Sequence, residues 1–232
     1  MVELLGYLTL AKDIVASLLH RAAASREKPW DELTFALDKL TELVGVHVKA
    51  VAEVTAPILT EGDLGETARR YSLLVNNAEF PRGYDSIRGT LAAVGKLRGF
   101  QDDTHKELLR AVVDQLSSFQ LGVFTLKWDS FKVSDGVTEA AKVAATNSPS
   151  EAEIMRVAAP FLLSFVGLFG PITQPPAPEP PKTKAELTAL LQDWFKSWQR
   201  HVHRASYGGV STGTQPGGLG SAISQLKMAR HA

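Results

Sequence analysis

The sequence predicts an all-α fold, an up-and-down helical bundle followed by a proline-linked amphipathic helix near the C-terminus. Three observations predict it: apolar residues recur at alternating spacings of four and three over long stretches, capping residues precede several of those stretches, and short turns join them. A chain of 232 residues with 44% hydrophobic residues can bury a core, and this length suits one larger unit with an appendage.

Leu4, Leu8, Ala11, Val15, Leu18 and Ala22 mark the first helix. Pro29 suits the first position of a second, because its missing N–H would have no intrahelical partner there. Leu33, Leu37, Leu40, Val44, His47, Val51, Val54 and Ile58 then keep strict four-three order, and this long helix is expected to end around Pro57. Asp63 and Glu66 can cap each other's backbone donors to start a third helix, which should reach about Asn77. Asn76, Asn77, Pro81 and Gly83 then predict an interruption. Asp85 is expected to cap a shorter helix carrying Ile87, Leu91, Val94 and Leu97, which Gly99 closes.

Thr104 and Glu107 form a second capping pair, ahead of His105, Leu109, Val112, Leu116, Phe119, Val123 and Leu126. The end of that helix, 123–128, also suits a strand by composition, and helix is the reading preferred. Ser148, Pro149 and Glu151 begin another helix, with Ile154, Ala158, Phe161, Phe165 and Leu168 as its stripe. The sequence thus divides into a bundle over 1–170, a proline-rich spacer over 171–182, an amphipathic helix over 183–206 and a Gly/Ser-rich tail over 207–232, expected to be flexible.

A formal net charge of +0 gives no field for a polyanion, so no nucleic-acid partner is expected. With no cysteine, disulfides, zinc thiolates, Fe–S clusters and cysteine nucleophiles are excluded. The start, Val2 and Glu3 without a basic residue, predicts no secretory signal, and the expected location is cytoplasmic. No phosphate loop, dinucleotide fingerprint, nucleophile elbow or Glu-x-x-His pair occurs, so neither catalysis, cofactor nor metal is expected. His47 and His105 lie on apolar seams and read as core histidines. His201 and His203 are two apart, about 200° around a helix, and cannot share one ion.

Two candidate sites emerge. The loop from 76 to 88 concentrates Asn76, Asn77, Arg82, Tyr84 and Arg88, which could hold a carboxylate or phosphate; the alternative is an ordinary helix–helix turn with the arginines paired to Glu79 or Asp85. The helix beyond the prolines carries Leu187, Leu190, Leu191, Trp194 and Trp198 on one face, and two of the chain's four tryptophans. The spacing predicts a non-catalytic interaction or self-assembly protein that docks this helix into a groove on a protein partner or a second copy in a homo-oligomer. Three alternatives stand beside it: folding of that helix onto its own bundle, a membrane-acting reading in which the amino-terminal helix or the Phe161–Phe169 segment is released to insert into lipid or the basic, aromatic helix lies on a membrane surface, and a small-ligand sensor or enzyme built on the 76–88 loop.

Overall fold

In the computed structural model, which describes residues 2–22, 29–97, 100, 102–128, 184–207 and 218–229, the chain is an all-α helical bundle, and no strand occurs among the described residues. The described helices are α1 (Val2–Ala22), α2 (Pro29–Glu61), α3 (Leu64–Val75), α4 (Glu79–Val94), α5 (Asp103–Trp128), α6 (Lys184–Tyr207) and α7 (Leu219–Ala229). The helix expected over 151–168 and the proline spacer lie outside the described residues. Two compact units divide the chain: Met1–Val51, Asn77–Val123 and Arg200–Ala232 form the first, and Ala52–Asn76 with Phe124–Gln199 the second.

In the first unit, α1 and α4 pack together, with α1 burying Leu4, Ala11, Val15 and Leu18 on one stripe. α4 starts at Glu79 and runs through the expected interruption. Pro81 is harmless there, since the N–H groups of a helix's first turn have no intrahelical acceptor. Asn77 starts the turn instead of Asp85: its Oδ1 accepts the Glu79 N–H at 3.0 Å. Gly83 is kept by packing, because a Cβ on it would stand 2.6 Å from Leu43 Cδ2 and 3.0 Å from Val15 Cγ2. α5 is likewise capped two residues earlier than the Thr104/Glu107 pair suggests. Asp102 Oδ1 accepts from the N–H groups of Thr104 at 2.8 Å and His105 at 3.3 Å, and these bonds, that of His105 foremost, hold the Asp102 carboxyl below its ordinary range. The segment 123–128 is helical, as preferred.

In the second unit, α2 continues past Pro57 to Glu61. Proline has no N–H to offer the carbonyl four residues earlier, and Arg70 on α3 supplies the donor: its Nη1 reaches the Glu53 carbonyl at 2.9 Å. Gly62, at φ +67, then ends α2 in a left-handed cap, its N–H bonding the Ile58 carbonyl at 3.2 Å. Gln192 Nε2 on α6 donates to the same oxygen at 2.8 Å. The Asp63/Glu66 box forms on one side only. Asp63 Oδ1 accepts the Glu66 N–H at 3.0 Å, while the Glu66 carboxylate turns to Arg69 and Arg70, whose hydrogen bonds, led by Arg69, lower its pKa.

The reading of 207–232 as a flexible tail fails for Leu219–Ala229. These residues form a helix with Leu219, Ala222, Ile223 and Leu226 buried. Their spacing of three, one and three places four apolar side chains on one face, enough to hold a short helix against the first unit.

Candidate functional site

The residues of the expected 76–88 site do not converge. Asn76 is exposed, and Asn77 spends its side-chain oxygen on the start of α4. Arg82 faces solvent and pairs with Glu79 at 3.4 Å, whereas Arg88 pairs with Asp85 at 3.9 Å and donates to Gln120. Six residues apart on one helix, the two arginines point about 120° apart, too far around to grip one anion. Tyr84 faces inward, fully buried, with its hydroxyl 3.0 Å from Nδ1 of buried His47. Phe80 stacks on the His47 ring at 4.0 Å and Phe119 meets it edge-on at 6.0 Å. Burial among these rings lowers the His47 pKa to about 3 and raises that of Tyr84 well above its ordinary value, so both are neutral core groups. This is the alternative arrangement, a helix start with locally paired arginines.

The face expected to dock on a partner is also partly committed. Leu191 and Trp198 are each only 4% exposed. Trp198 packs edge-on against Tyr71 of α3 at 5.9 Å and against Phe195 at 6.1 Å, all within the second unit. The large apolar area of an indole favours the nearest dry surface, and α3 provides one. Leu187, Leu190 and Trp194 belong to α6, with side chains outside those described.

α7 is the segment the sequence reading missed. Its entry is set by Gly218, at φ 138, a conformation that favours glycine, and the Gly218 carbonyl accepts the Ala222 N–H at 3.1 Å. The buried face of Leu219, Ala222, Ile223 and Leu226 is opposed by exposed Ser224 and Met228. Polar contacts hold the far end. Lys227 Nζ meets Asp38 Oδ1 of α2 at 2.5 Å, and His105 of α5 donates from Nε2 to the Ala229 carbonyl at 3.1 Å, satisfying one of the carbonyls left over where a helix ends. Because a carbonyl only accepts, this bond places the proton on Nε2. The His105 ring is itself positioned by Trp30, edge-on at 5.0 Å, and by Phe100 at 5.7 Å.

The near end is held by shape. A Cβ on Gly220 would lie 3.1 Å from the Ser206 carbonyl oxygen and 4.0 Å from Tyr207 Cα, so α7 approaches the end of α6 as closely as a glycine permits. Burying Leu219, Ile223 and Leu226 is worth about 1.5–3 kcal/mol each, while a free helix of this length is marginal in water. The first unit therefore supplies the conditions under which 219–229 is helical. Asp38, His105 and the Ser206 carbonyl are the described groups that α7 meets at its two ends.

Among the described residues, no three His, Cys, Asp or Glu side chains gather as metal ligands do. α2 is long and apolar enough to cross a membrane by length and composition, and more than half of that stretch is buried. No protein-family model matches the chain, and neither a curated protein nor a solved structure is significantly similar to it.

Proposed function

We propose that this chain is a non-catalytic helical interaction module that works by seating a short amphipathic helix in a groove of its first unit. The observation that carries the reading is α7 itself. An 11-residue helix at the end of a Gly/Ser/Thr-rich stretch buries four apolar residues and closes with the Lys227–Asp38 ion pair, the pattern of a helix-in-groove complex within one chain. The docking element differs from the tryptophan-bearing helix singled out by composition. Leu191 and Trp198 are engaged inside their own unit, whereas α7 is held by one short face.

The test uses the full chain with a protease site placed within 208–217. After cleavage, a fluorescent peptide of residues 217–232 should exchange into the groove with a Kd around 10⁻⁴ M, the same peptide carrying Leu226→Asp should not bind, and unlabelled peptide should compete. Absence of binding by the unaltered peptide, with the cleaved chain still helical, contradicts the proposal.

A further inference from the structure

We propose that the groove also accepts α7 from a second copy of this chain, so that two copies associate by exchanging their C-terminal helices; this rests on the helix-docking reading above. The features that hold α7 are selective. The position next to Ser206 admits only glycine without displacement, and Asp38 and His105 fix a lysine and a terminal carbonyl seven and nine residues further on. A helix must therefore present Leu, Gly, then Ala-Ile, Leu and Lys in this order to fill the groove, and the α7 of another copy does so by identity.

Exchange needs little disruption. The buried contacts of α7 with the first unit come from one face of 11 residues. The connection permits it as well. Gly220 lies against Ser206 and Tyr207, and in the sequence ten residues, 208–217, separate α6 from Gly218. Ten residues can reach at most ~35 Å, a span sufficient to reach a neighbouring copy. The contacts made by α7 are the same whichever copy supplies it. What favours its own chain is the tether, equivalent to an effective concentration of about a millimolar. Reciprocal exchange closes a two-fold dimer, so association ends there.

The chain has no cysteine, which makes the test clean. Two full-length variants, one with Asp38→Cys and one with Lys227→Cys, are mixed and treated with a short bis-maleimide; a third carries both substitutions. The double variant should cross-link within itself. The mixture should give a heterodimer whose yield rises about tenfold between ~50 µM and ~1 mM chain, and Leu226→Asp in the Lys227→Cys variant should abolish it. Efficient cross-linking within the double variant, with no heterodimer at any concentration, overturns exchange and leaves the docking reading standing. No cross-link in the double variant overturns both. A heterodimer that survives Leu226→Asp assigns the contact to another surface and overturns exchange.

Discussion

The two helices that close the described chain differ in how they are held. α6 brings Leu191, Phe195 and Trp198 into the second unit, with Tyr71 beside the two aromatic rings. α7 brings no ring to the first unit; its buried face is Leu219, Ala222, Ile223 and Leu226, with polar contacts at its far end. Aromatic content measures how much area a helix must remove from water and leaves open which surface receives it. The comparison teaches that a rich aromatic face and a short aliphatic one can both be buried, and that the two helices differ in the area each removes from water and in the polar contacts that accompany it.

Acid should break the comparison most strongly by removing the groove itself. The imidazole of His47 is neutral in the fold, with a pKa lowered by burial to about 3 against an ordinary value near 6.5. The unfolded chain therefore binds the proton first, and the stability of the first unit falls as pH drops from 6.5 toward 3. The loss is about 1.4 kcal/mol per pH unit, on the order of 5 kcal/mol in all. Chemical denaturation across this range should show that dependence, and His47→Gln should flatten it. α7 is expected to be lost together with the bundle under acid.

In the other region, Trp198→Ala should cost about 3–5 kcal/mol of unfolding free energy, read from denaturant midpoints, while α7 stays docked. The smallest effect is expected beside it. The buried hydroxyl of Tyr71 has no hydrogen-bond partner among the described residues, and burial raises its pKa. Tyr71→Phe should thus leave stability unchanged or raise it by up to about 1 kcal/mol. A marked loss would show that the hydroxyl contributes to the fold.

Much of the architecture was legible because it follows from periodicity. All eight residues assigned to the apolar stripe of α2, from Leu33 to Ile58, are buried, including His47. What the sequence hid depends on distant partners. Pro57 reads as a helix end until Arg70 is seen to serve the Glu53 carbonyl, and Gly83 reads as a turn until Leu43 and Val15 are seen to leave no room for a Cβ. Residues 76–88 read as convergent on a loop, whereas the α4 helix spreads its side chains around its axis. α7 did leave a signal, Leu219, Ala222, Ile223 and Leu226 after Gly218. It was masked by the glycine, serine and threonine of the preceding residues and by its short length.

Native-state hydrogen exchange on the full chain, beside its Leu226→Asp variant, tests the central claim most directly. The account predicts that amides of 223–229 are protected by about 100-fold or more in the unaltered chain. In the variant they should lose that protection together, while amides of α2 and α5 keep theirs. Unprotected amides over 223–229 in the unaltered chain would contradict a seated helix, and loss of protection throughout α2 and α5 in the variant would contradict a releasable one.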